Sequence, residues 1–246
     1  DPLRRALQVA PNKIGVIDGD RRFSFSELHD RCARLAAGLH ALGLRKGDRV
    51  AILAANSHVY LETYLAVPAC GLVVVPLNTR HAVPELRYAR EDSATKVLIT
   101  DRDVGDLADC VEQVLTFADY ETLLDDASPI ALGTGVSEND LAGLFYTGGT
   151  TGKSKGVMLS HRNLISNTFH WLMSVPHSAD DVELVMAPLF PAAGSNGVLG
   201  AIWNTTAQIT LGTFAPDSAL ELIAENRVTH TLAVPTMLSG MAEEQL

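Results

Sequence analysis

The chain is poor in cysteine, has no excess of basic charge and no long uninterrupted apolar run, and each shortage argues against a class of protein. Cys32, Cys70 and Cys110 are odd in number, far apart and set in apolar surroundings. That pattern argues against a disulfide framework or a cysteine-rich metal site, and predicts buried free thiols in a reducing compartment. The formal charge of −10 argues against a general nucleic-acid or anionic-membrane binder, because both need basic patches that release counterions. The most apolar window, residues 184–203, is broken by Pro188, Pro191, Gly194, Ser195, Asn196 and Gly197. Residues 64–77 are too few and contain Pro68, so neither stretch reads as a membrane span. No signal peptide, repeat or low-complexity tract is visible. The expectation is a soluble, cytoplasmic protein that does not bind nucleic acid, with its oligomeric state open.

What is present is enough apolar residue for a sizeable core: 47% of 246 residues. Short apolar runs at 14–18, 22–25, 49–53, 72–75, 97–100, 183–187, 207–211 and 228–234 read as strands. Between them, Leu28, Cys32, Leu35, Leu39 and Leu42 recur at helical spacing behind a Ser24–Glu27 capping box. Further helices are expected from Ser57, bent near Pro68; from Pro84 to about residue 92; over 105–124, with a short extended piece near Phe117; from Ser160 to about 173; and over 196–203 and 217–226. The rhythm predicts an α/β fold of layered parallel sheets with flanking helices. Residues 128–140, rich in Pro, Gly, Ser and Asn, read as an exposed connection and a boundary between subdomains 1–138 and 139–246.

The densest chemistry lies in residues 146–156, Tyr-Thr-Gly-Gly-Thr-Thr-Gly-Lys-Ser-Lys-Gly, between two expected strands. Gly148, Gly149 and Gly152 permit backbone angles that turn successive N–H groups into one concavity. Thr147, Thr150, Thr151 and Ser154 add hydroxyls, and Lys153 and Lys155 add positive charge. A polyphosphate suits that donor set. A P-loop would need glycine at position 147, where this chain has Thr, and would run directly into a helix rather than a second strand. A P-loop-like NTPase or a non-catalytic nucleotide-binding module is the alternative from a different class. His161, His170 and Trp171 lack carboxylate or cysteine neighbours at ligand spacing and read as packing or surface residues.

The same loop, followed by Ser160-His161-Arg162-Asn163-Leu164, resembles the phosphate-binding signature of the adenylate-forming superfamily, which includes acyl- and aryl-CoA synthetases. Gly148 and Ser154 replace the usual Ser and Pro. Residues 42–50, the Asn56-Ser57 pair, 75–78 and the Val-Pro-Thr corner at 234–236 are similar to that family's amino-terminal scaffold. The resemblance implies the amino-terminal half of an ATP-dependent ligase that activates a carboxylic acid as acyl-AMP and transfers it to CoA. An adenylation domain that loads a carrier protein is the alternative within the family. It assigns Thr147, Gly148, Gly149, Thr150, Thr151, Gly152, Lys153 and Ser154 to the ATP site, with Lys153 at a variable position. Lys155 is the loop's cation and the catalytic candidate, and Thr147 a ligand for Mg²⁺ bound with ATP.

By the same resemblance, Phe190, Pro191 and Gly194 lie at the acyl pocket, Pro191 standing where the family has His. The small residues of the helix after it leave two readings open: room for an apolar substrate, or tight packing on the sheet. A fatty or aryl acid is favoured as substrate.

Overall fold

The computed structural model describes residues 1–147, 154–190 and 192–245, the side chains of Ala193 and Asn196 excepted. In chain order the elements are α1 (Pro2–Val9), β1 (Ile14–Asp18), β2 (Arg21–Ser24), α2 (Phe25–Ala41), β3 (Arg49–Leu53), α3 (His58–Ala69) and β4 (Val73–Pro76). Then come α4 (Val83–Ser93), β5 (Thr95–Thr100), a 3-10 helix (Gly105–Cys110), β6 (Gln113–Thr116), α5 (Phe117–Asp126), β7 (Leu141–Thr147) and β8 (Lys155–Ser160). The chain continues through α6 (His161–Ser174), β9 (Val182–Val185), α7 (Ala193–Trp203), β10 (Ala207–Thr210), α8 (Pro216–Asn226), β11 (His230–Thr231) and α9 (Pro235–Glu244).

Among the described residues the strands form a five-stranded sheet, β11-β9-β10-β1-β2, and a six-stranded sheet, β6-β5-β3-β4-β7-β8. All neighbours are parallel except β2 against β1 and β8 against β7. The chain passes from the first sheet to the second through α2 and returns through α6. Residues 128–140 join α5 to β7 within the second sheet, so both sheets draw strands from each side of that connection.

Side chains on alternate strand positions serve different layers. Val50 and Ile52 of β3 face a core shared with β1, α2, α3 and α7, whereas Ala51 and Leu53 face α4. On β9, Val185 joins the shared core, while Leu184 and, just past the strand, Met186 pack under α8 and α9. Helices α2, α3 and α7 therefore lie between the sheets. Helix α3 is buried over His58–Pro68 and has no apolar stripe, as expected of a helix enclosed on all sides.

Local signals produce the expected starts. Ser24 and Glu27 form the capping box of α2, and Ser57 and Ser160 cap α3 and α6. Four expectations are corrected. Residues 105–124 are not one interrupted helix: a 3-10 turn is followed by β6, and a Thr116–Asp119 capping box restarts the chain as α5. The strand expected over 228–234 shrinks to His230–Thr231, because Val234 becomes an N-cap and Pro235 opens α9. Pro68, near which the helix is expected to bend, lies in the last turn of α3, followed only by Ala69 before the Cys70 cap and Gly71 (φ +81°), so no helix continues beyond it. Of the cysteines, all free, Cys32 is buried but Cys70 and Cys110 are only half-buried. No helix among the described residues is long and apolar enough to cross a membrane.

Candidate functional site

Strands β7 and β8 make an antiparallel hairpin in which Thr147 faces Lys155 and Tyr146 faces Gly156. The pairing sets a threonine hydroxyl and a lysine ammonium side by side at the carboxyl end of β7, both exposed. Ser154 beside them is half-buried. Gly148, Gly149, Thr150, Thr151, Gly152 and Lys153, the turn between, lie outside the described residues.

The base of the hairpin is held from two sides. Tyr146 donates its hydroxyl to Asp92 Oδ2 of α4 at 2.7 Å. Burial, and then the Asp92 carboxylate, push that phenol above its ordinary pKa, so it stays a donor. Its ring lies over Gly156, where an added Cβ would come within 3.1 Å of Tyr146 Cζ. A side chain at 156 would therefore require the Tyr146 ring to shift by a few tenths of an ångström, a constraint distinct from the oxyanion geometry of the turn.

Parallel α/β sheets place ligands beyond the carboxyl ends of their strands. Here β3 and β9 end close to one another, and β7 ends at the same edge of its sheet as β3. After β3, the buried Asn56 donates Nδ2 to Val185 O (3.2 Å) and Ala187 O (2.9 Å), and accepts from Leu189 N at 3.0 Å. Tyr64 of α3 donates its hydroxyl to Leu189 O at 3.0 Å. The segment leading to Phe190 is thus tied to the opposite sheet. Phe190 is buried. Gly194 packs in the first turn of α7, where a Cβ would sit 2.9 Å from Pro188 O. Pro191 lies outside the described residues.

Beside this segment is a cavity of about 460 Å³, walled by Tyr64, Leu164, Phe169, Ser195 and Leu199, with Arg4, Glu138 and Arg162 also in its lining. Arg162 is ion-paired with Glu138. His161 also lines the cavity; its Nε2 is buried without a partner among the described residues, and burial lowers its pKa. Helix α7 borders the cavity on one face and packs tightly on another. Ser195 and Leu199 line the cavity, while Gly197 and Gly200 pack against Glu183 and Leu172.

Among the described residues no cluster of His, Cys, Asp or Glu could hold a metal ion. Among the described residues the hairpin offers a divalent cation neutral hydroxyls, those of Thr147 and Ser154, and no carboxylate. A Mg²⁺ ion carried in on phosphate oxygens fits such a site, since this ion keeps few protein ligands.

Sequence reading missed the roles of Asn56 and Tyr64. The Asn56-Ser57 pair stood out only as scaffold, because the carbonyls it meets lie some 130 residues away.

Comparison with known proteins gives one consistent answer. The profile of the AMP-binding enzyme family matches residues 3–246. A feruloyl-CoA synthase of Amycolatopsis is 38% identical over 244 residues, 98% of this chain and 49% of the relative. A long-chain-fatty-acid–CoA ligase of Thermus thermophilus is 32% identical over 90% of this chain and 44% of its own length. Among solved structures, the o-succinylbenzoate CoA synthetase of Bacillus subtilis with its acyl-adenylate intermediate superposes with a TM-score of 0.90 at 28% identity, covering 99% of this chain and 64% of that one. A Mycobacterium tuberculosis fatty acyl CoA synthetase gives 0.89 at 27%, over 98% and 50%. The chain spans about half the length of the curated relatives it matches.

Proposed function

Because the chain belongs to the AMP-binding enzyme family, we propose that it is the ATP-gripping, acid-binding portion of an AMP-forming acid–thiol ligase. In that reaction a carboxylate oxygen attacks the α-phosphorus of ATP, the bond to pyrophosphate breaks, and an acyl-adenylate forms. A thiol, that of CoA, then attacks the acyl carbon and AMP leaves. Carboxylates are poor electrophiles, so the protein's share is to position the acid and neutralise charge on the phosphates.

The observation that carries this reading is the pairing of Thr147 with Lys155 at the carboxyl end of β7, on a hairpin fixed at its base by Tyr146. Lys155 would neutralise the β- and γ-phosphates. Gly148, Gly149, Thr150, Thr151, Gly152 and Ser154 would supply backbone and hydroxyl donors, and Thr147 would reach the phosphates or the Mg²⁺ that accompanies them. Lys153 would remain solvated.

For the acid, the cavity beside Tyr64 supports a fatty or aryl substrate. Its wall of Leu164, Phe169 and Leu199 suits an apolar body, and its volume of about 460 Å³ is in the range of small-molecule sites.

The test uses a full-length enzyme carrying this chain. Pyrophosphate exchange should appear with fatty or aryl acids, and Lys155→Ala should weaken ATP binding by about tenfold or more, as loss of a charge-assisted contact does. Lys153→Ala should leave binding nearly unchanged. The reverse order for the two lysines, or no exchange with any acid, would overturn the proposal.

A further inference from the structure

We infer that Asn56 is a positioning residue for the carboxylic acid: its amide rivets the two sheets together where the acid is activated. The inference rests on the function proposed above, but its support is separate from the phosphate hairpin.

An asparagine side chain is a peptide group without the chain. It can therefore continue a strand ladder where no strand is present. The partners of Asn56 are Val185 O, Ala187 O and Leu189 N, alternate residues of the segment that runs out of β9. Within β9's own sheet, Leu211 N also reaches Val185 O, at 3.1 Å, at the last position where β10 can follow. Beyond it the amide of Asn56 takes over, from the end of β3 in the other sheet. Asn56 is 5% exposed, so water cannot replace it. Tyr64 adds the bond to Leu189 O, and the same side chain walls the cavity. One short stretch of backbone is thus held from both sides: Asn56 sets its reach, and Tyr64 links it to the acid's cavity.

The consequence is geometric. On the function proposed above, an acid in the cavity beside Tyr64 must meet a phosphate held by a hairpin of the six-stranded sheet, while the segment beside that cavity continues the five-stranded sheet. In-line attack needs reacting atoms aligned closely, and displacement of a supporting segment by about 1 Å can cost about a hundredfold. Asn56 fixes one of these parts to the other's sheet while touching neither ATP nor acid.

The experiment uses the full-length enzyme carrying this chain, with pyrophosphate exchange followed at varied acid and varied ATP. Asn56→Ala should lower kcat/KM for the acid by about tenfold or more while KM for ATP stays within about twofold. Tyr64→Phe, which removes one of the four bonds, should shift the same parameter less. Tyr120→Phe is the control for general loosening. Its hydroxyl donates to the buried Glu62 of α3 rather than to the segment that follows β9, so it should lower the unfolding midpoint without separating acid from ATP kinetics.

Should Asn56→Ala fail to fold, Tyr64→Phe carries the test alone: a selective acid defect supports the inference and unchanged acid kinetics overturn it. Equal loss for acid and ATP in Asn56→Ala, or no loss, also overturns it while leaving the functional reading intact. A wild-type enzyme with no exchange across the acid panel overturns both.

Discussion

Gln208 Nε2 of β10 donates to Glu183 Oε2 of β9 at 3.2 Å, and both side chains are buried beneath α7. The same Nε2 donates to Val198 O of α7 at 3.1 Å, while Gln208 Oε1 has no donor among the described residues. Among the described residues no cation pairs with the Glu183 carboxylate. Burial pushes the Glu183 carboxyl up to about 7, and the bond from Gln208 only partly offsets it.

The sign of the pH effect follows. A folded pKa of about 7 against an unfolded value of 4.5 means the folded state holds the extra proton between them. Stability from this group is full below pH 4.5 and is lost as pH rises through 7. Glu183→Gln removes the titration, and its amide can donate to the unpartnered Gln208 Oε1. Thermal unfolding should show the variant more stable than wild type at pH 8, by about 3 kcal/mol. The gap should close toward pH 4.5. A pH-independent gap would place the charge elsewhere.

A second buried carboxylate sits in the opposite situation. Glu62 of α3, fully buried, takes Arg31 Nε at 2.5 Å, Arg31 Nη2 at 3.1 Å and the Tyr120 hydroxyl at 2.6 Å. Arg31 also holds Glu121, whose carboxyl is lowered to about 2 because the Arg31, Arg21 and His58 bonds outweigh its partial burial. Removing the cation strands the buried charge. Arg31→Met should therefore cost about 3–5 kcal/mol in urea unfolding. A loss below about 1 kcal/mol would show the network to be no better than a surface pair.

These two acids show where the sequence is informative and where it stops. Ser24-x-x-Glu27 is a local pattern that reads as a cap; Thr116-x-x-Asp119 is equally local, but the helix expected over 105–124 runs across it. The two strands expected on either side of the glycine-rich turn are legible for the same reason, and they pair as β7 and β8. Nothing near Glu183 in sequence distinguishes it from a solvated strand residue; only the return of the chain as β10 and α7 buries it. Helix α3 hides its place for a related cause, since a helix packed on every side has no periodic stripe to read. The Asn56 rivet depends on two strands from different sheets ending together, and no window of the sequence contains both.

On the proposed nucleotide function, the base of the hairpin sets how Thr147 and Lys155 are presented to the phosphates. Gly156 leaves space for the Tyr146 ring, and the ring's hydroxyl ties the hairpin to α4 through Asp92. A branched side chain at 156 must occupy that space and push the ring off its acceptor. Gly156→Val should weaken ATP binding, read by calorimetric titration, by about tenfold, because the Thr147–Lys155 pair is then presented from a displaced base. Tyr146→Phe keeps the ring in place and forfeits only the bond to Asp92. It should cost about 1 kcal/mol of stability and leave ATP affinity nearly intact. Wild-type affinity in Gly156→Val would mean the hairpin tip is oriented by something other than the packing of Tyr146 on Gly156.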